Sequence, residues 1–159
     1  MTTHNPKVFI SYSHDSGEHR ARVMSLAERL RNDGIDCQID RYFEDEPPAQ
    51  GWDRWMLDEI DRADFVIVVC TETYQRRFRG HEPKGTGKGV KWEGMVITQT
   101  LYDAESHNLK FLPLIFSHED ETYIPIVLRS TTHYNPTTES GYDSLYRRLS
   151  KQPRITIGI

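Results

Sequence analysis

Apolar and polar residues recur with two periods along this chain, and the period switches about five times. "KVFISYS" is an apolar run in extended spacing. After "HDSG" the apolar positions become Val23, Leu26, Ala27 and Leu30, the spacing of one helix face. "NDG" ends that helix, with Gly34 supplying the left-handed conformation a helix terminus uses. "IDCQID" alternates strictly, which predicts a strand with one less buried face, as at a sheet edge. "RYFEDEPPAQG" is a loop, because adjacent prolines break both regular structures and its acidic cluster resists packing. Helical spacing returns from Trp52 through Met56 and Ile60.

"DFVIVVC" is almost wholly apolar and rich in β-branched residues, the composition of a central strand covered on both faces. A long polar, glycine-rich loop is expected over about residues 72–89, ahead of a third helix. "KFLPLIF" is a fourth strand whose Pro113 marks an edge, a strand end or a bulge. A weak fifth strand is expected near Thr132 to Tyr134. "YDSLYRRLSKQ" closes with a helix, apolar at Tyr142, Leu145, Tyr146 and Leu149. This alternation, without internal repeats, predicts an α/β, flavodoxin-like three-layer fold: a five-stranded parallel sheet of order 2-1-3-4-5 with helices on both faces. No linker divides the chain, so one domain is expected over residues 5–152, with "RITIGI" reading as the start of a further segment.

Composition narrows the setting. The chain has 159 residues, enough to bury about two thirds of its unfolded surface in one core. Its net charge of −4 gives no electrostatic reason to expect a nucleic-acid partner. "FVIVVC" and "FLPLIF" are too short to cross a bilayer, and "MTTHNPK" opens no signal peptide, so a cytoplasmic protein without membrane attachment is expected. Cys37 and Cys70 fall in strands flanking the first, about 9–10 Å apart, beyond the ~7 Å a disulfide spans. The seven histidines show no zinc-ligand spacing, so no metal site is expected.

In open parallel sheets ligands bind beyond the carboxyl ends of the strands, where strand order reverses. Here that point lies between the first and third strands. It nominates Ser11, Tyr12, Ser13, Asp40, Arg41, Thr71 and Glu72, with the loop and first turn of the third helix. On that helix Trp92, Val96, Ile97, Thr100, Leu101 and Ala104 span one half-circle, and Glu93 falls near its centre. An acid there either complements the helix dipole in the first turn or is an inward carboxylate placed for chemistry. The preceding "KGTGKG", with Lys84, Gly87 and Lys88, is a flexible basic loop suited to phosphate, although it lacks the P-loop spacing. Tyr74, Phe78, Trp52 and Trp55 are candidates for stacking a ring, with Trp52 best placed because it opens its helix beside the acidic loop.

"VFISYSHDS", "IDRYF…PPAQGW", "ADFVIVVCTETY" and "GKGVKWEG", in this order and spacing, resemble the bacterial SEFIR domains, relatives of the TIR domain. The resemblance covers essentially the whole chain. It implies a flavodoxin-like fold and a role in immune signalling, by homotypic association in animal SEFIR domains and by NAD+ cleavage in bacterial defence. Glu93 matches by position the catalytic glutamate of TIR enzymes. Trp92 immediately precedes it, whereas the TIR pattern has tryptophan one helical turn earlier. The resemblance makes the Arg41 to Gly51 loop an assembly loop, in which Phe43, Glu44, Asp45 and Glu46 would meet Arg76, Arg77 and Arg79 of another copy. NAD+ is then a substrate rather than a cofactor, and the partner is a second copy or another SEFIR or TIR domain. A binding module, with Glu93 only complementing a helix end, stays open. A phosphoacceptor of response-regulator type does not fit, because Ser11 and Thr71 stand where acids are needed.

Overall fold

Four parallel strands run through the centre of the chain in the order β2-β1-β3-β4. They belong to a computed structural model that describes residues 6–43, 45–78 and 110–151. In chain order the elements are β1 (Lys7–Ser11), α1 (Gly17–Asn32), β2 (Asp36–Gln38), α2 (Trp52–Arg62), β3 (Phe65–Val69), α3 (Glu72–Phe78), β4 (Phe111–Leu114) and α4 (Glu139–Leu149). Short 3₁₀ turns cover Asp40–Phe43, His118–Tyr123 and Ile126–Leu128.

Side-chain alternation divides the core into two layers. Val8 and Ile10 of β1 pack with Ile67 and Val69 of β3 against Val23, Leu26, Ala27 and Leu30 of α1 and Leu145 and Leu149 of α4. Phe9, Val66 and Val68 face the other way, onto Trp55 and Ile60 of α2 and Tyr74 of α3. Every residue of β3 is buried, as its unbroken apolar run requires. β2 is an edge strand, with Cys37 buried and Asp36 exposed. Both thiols are free, and burial pushes each up to about 12.

Helix ends follow local chemistry. Ser16 caps α1, its hydroxyl accepting from the His19 N–H at 3.0 Å. At the other end Gly34 takes φ +92°, the Gly34 N–H reaches the Arg31 carbonyl, and the Ile35 N–H reaches Leu30. That pair of bonds is a Schellman motif, and it needs the glycine.

Two expectations are corrected. Among the described residues the sheet has four strands, not five: the expected fifth is a single parallel bridge between Leu114 and Tyr134. Tyr134 exchanges bonds with the Pro113 carbonyl and the Ile115 N–H, at 3.0 and 2.9 Å. Pairing ends there because Asn135 turns the chain, its side chain accepting from Thr137, and Pro136 has no N–H to extend the ladder. Pro113 is tolerated within β4 because its nitrogen lies on the same side as its carbonyl, away from β3.

The second correction concerns residues 72–78, expected as loop but forming α3. Thr71 Oγ1 accepts from the Tyr74 N–H at 3.1 Å, Glu72 pairs with Arg76, and Tyr74 is fully buried. A cap and one buried aromatic suffice for a short helix whose polar surface masks its periodicity. The expected third helix lies outside the described residues.

Gly141 sits in the first turn of α4, where an added Cβ would overlap the Asn135 carbonyl oxygen. Gly17, opening α1, has open space around its Cβ position. Gly141→Ala should therefore destabilise the fold by about 1–3 kcal/mol, and Gly17→Ala should be neutral or stabilising by under about 1 kcal/mol. Denaturant midpoints for the two variants, compared with the unmodified chain, check the contrast.

Candidate functional site

The site is assembled where β1, β2 and β3 deliver their carboxyl ends. Consecutive residues leaving β1 point to opposite faces. Ser11 is 1% exposed and turns toward α3, its Oγ 2.7 Å from the Tyr74 hydroxyl. Tyr12 turns toward α1, and its hydroxyl donates to Asp40 Oδ1 at 2.6 Å. Ser13 is again buried, donating to the Asp15 carboxylate, with its Oγ 3.4 Å from Thr71 Oγ1. The structure thus joins Tyr12 with Asp40 and Ser13 with Thr71. Ser11 instead ties β1 to α3.

Asp40 opens the 3₁₀ turn after β2 and is the electrostatic centre of the group. Its Oδ2 lies 2.8 Å from His14 Nε2, and the Tyr12 ring stacks on His14 with centroids 4.9 Å apart. Burial raises the Asp40 pKa, but hydrogen bonds from His14, Tyr12 and the Arg41 backbone outweigh it, so the carboxyl is held below its ordinary range. It is a carboxylate at neutral pH. Nearby, His19 is 8% exposed, edge-on to Phe116, and its Nε2 has no hydrogen-bond partner. Desolvation lowers its pKa against the opposing pull of Asp15. Desolvation likewise raises that of Asp120, against the pull of His19.

The other sequence-nominated residues are more scattered. Arg41 is half-buried, and Trp52 opens α2 behind Gly51 at φ +87°. Phe43 ends the 3₁₀ turn, and Asp45 and Glu46 are exposed in the loop beyond it. On α3, Arg76 pairs with Glu72 at 3.3 Å and Arg77 is half-buried. Glu44, Arg79, Lys84, Gly87, Lys88, Trp92 and Glu93 lie outside the described residues. Among the described residues no group of three or more His, Cys, Asp or Glu side chains is placed to hold a metal ion. No described helix is long and apolar enough to cross a membrane.

Sequence reasoning missed His14 and His19. His14 and His19 carry no periodic signal, and only the three-dimensional return of Asp40 beside β1 gives His14 a partner. Tyr74, expected as a ring-stacking candidate in a loop, is instead the buried residue of a capped helix.

Comparison with known proteins places this geometry. The SEFIR domain model matches residues 6–149. The chain belongs to the SEFIR domain family. A crystal structure of a prokaryotic SEFIR domain superimposes with a TM-score of 0.67 and 27% identity, covering 91% of this chain and 99% of that one. A metazoan TIR-STING receptor from C. gigas shares the fold at a TM-score of 0.59 and 17% identity, over 94% of this chain and 42% of the receptor. In sequence the chain is similar to interleukin-17 receptor D, 25% identical over 146 residues for the Homo sapiens protein and 26% over 147 for that of Danio rerio. Those matches take in 81% and 77% of this chain but 19% and 20% of the receptors, so the SEFIR chain spans about a fifth of these relatives.

Two acid-sensitive contributions to stability follow. The lowered Asp40 pKa stabilises the fold above the unfolded carboxylate value, about 3.9, and that stability is lost as pH falls through the lower folded value. The lowered His19 pKa means protonation favours unfolding, so stability declines as pH falls below about 6.5. Urea titrations across pH should show the upper decline disappear in His19→Leu and the lower one weaken in Asp40→Asn. In a separate test, Tyr74→Phe removes the bond to Ser11 and should cost about 0.5–1.5 kcal/mol.

Proposed function

We propose that this SEFIR domain is an immune-signalling effector that binds NAD+ at the carboxyl edge of its sheet and cleaves the nicotinamide N-glycosidic bond when copies assemble. The observation that carries this reading is the polar lining of the sheet's carboxyl edge, where Tyr12, His14 and Asp40 tie β1 to the turn after β2 and Ser13 meets Thr71 across the switch point between β1 and β3. Ligands of open α/β sheets bind there. A carboxylate and several hydroxyls suit the ribose hydroxyls of a nucleotide.

The chemistry asks little of the protein. Nicotinamide leaves from a pyridinium and departs neutral, so no acid is needed to protonate it, unlike the departing oxygen of an ordinary glycoside. What remains is to orient the ribose and to stabilise the oxocarbenium-like transition state with a carboxylate, the role proposed for Glu93. Exposed Asp45 and Glu46 support the 41–51 loop as an acidic surface for the basic face of another copy, and such a head-to-tail contact repeats into filaments. A cytoplasmic setting belongs to the same proposal.

A second reading, a non-enzymatic module that works by SEFIR-to-SEFIR binding, is favoured by the similarity to receptor segments. Nicotinamide release, measured against protein concentration, separates the two. The NAD+-cleaving reading expects release that rises steeply with concentration and falls at least about 100-fold in Glu93→Gln, while light scattering shows unchanged assembly. Assembly without release in the unmodified chain would establish the binding module.

A further inference from the structure

The pairing of His14 with Asp40 has the geometry of a proton-accepting dyad. Asp40 is a carboxylate, which can only accept, so the bond at 2.8 Å requires the proton of neutral His14 to sit on Nε2. Nδ1 is then the basic nitrogen. No described residue bonds it, and the side chain is 39% exposed at the edge of the sheet. The Tyr12 ring, stacked at 27° to the imidazole, fixes its plane. The Tyr12 hydroxyl holds the other carboxylate oxygen, so the orienting group is itself oriented. A nucleophile's base is built on this pattern, one nitrogen held by a carboxylate and the other without a described partner.

Resting on the NAD+-cleaving reading, we propose that His14 is a catalytic residue, the base that takes the proton from the water attacking the ribosyl cation, with Asp40 and Tyr12 as its positioning residues. The C1′–N bond breaks with its electron pair passing to nicotinamide. The water oxygen then gives a lone pair to C1′, and its proton goes to His14 Nδ1, whose new charge is balanced by Asp40. His14 later returns the proton to solvent, leaving ADP-ribose.

This role is separable from bond cleavage, because a neutral pyridine can capture the same cation without losing a proton. The experiment supplies a weakly basic pyridine with NAD+ to the assembled protein. It measures nicotinamide, ADP-ribose and the exchanged dinucleotide. His14→Gln keeps an amide donor for Asp40 but has no base. It should shift the ratio of ADP-ribose to exchange product toward exchange by about tenfold or more, with total nicotinamide release changed much less. In the unmodified chain, acidification should shift the ratio the same way and reversibly, which tests the idea even if the variant does not fold. Among the described residues, the titratable groups near the imidazole are Asp40 on the turn after β2 and His19 on α1, the latter coupled to Asp15, Arg22 and Asp120. His14→Gln should flatten the pH response of the ratio if His14 is its source. An unchanged ratio, or an equal fall in both products, would reduce His14 to a structural tie. No nicotinamide release from the unmodified chain would remove the cleavage reading itself, and this role with it.

Discussion

The burial of β3 on both faces is the constraint from which the rest follows. A strand with no solvent face must have apolar side chains in both directions, and its backbone must be paired on both edges. β1 and β4 supply that pairing, and α1 and α4 on one side and α2 and α3 on the other supply the cover. Parallel pairing then sends all carboxyl ends the same way. Polar residues that cannot enter the layers collect at that edge. Ser11, Ser13 and Thr71 are buried or half-buried there because each leaves a core strand at the first position where a hydroxyl can find a partner.

That edge is electrostatically organised around one charge. A carboxylate as sheltered as Asp40 is costly unless donors converge on it, and three do, from the β1 loop and from its own backbone. The bonds also fasten the end of β1 to the turn after β2, at the start of the loop that carries the exposed acids. The groups of the proposed site are therefore also groups that hold the fold, so a substitution at Asp40 reports on both, and only product partition separates them.

Much of this was legible in the chain. Val23, Leu26, Ala27 and Leu30 announced α1, the β-branched run announced β3, and Gly34 announced the end of α1, because each depends on neighbours within a few residues. The switch-point rule likewise brought Tyr12 and Asp40 to one place, since it needs only strand order. What escaped depends on distant partners. The fifth strand shrank to a bridge because Asn135 and Pro136 ended the ladder, and α3 formed because Tyr74 is buried with its hydroxyl beside Ser11. The tie of His14 to Asp40 spans 26 positions and leaves no periodic trace.

Family membership and site geometry bear on different questions. The SEFIR match, and the similarity to a fifth of a receptor, fix ancestry and fold, and both are compatible with a domain that only associates. An association surface needs complementary shape and charge but has no need to shelter an ionised carboxylate behind the strand ends. In an adaptor that charge would be an expense without a return unless its tie to His14 and Tyr12 is what holds the loop. The same three residues therefore admit a loop clamp and a proton-accepting dyad. A clamp needs only that the imidazole bond Asp40, which the structure shows, whereas a base needs the opposite nitrogen to meet the attacking water, which the product ratio reads.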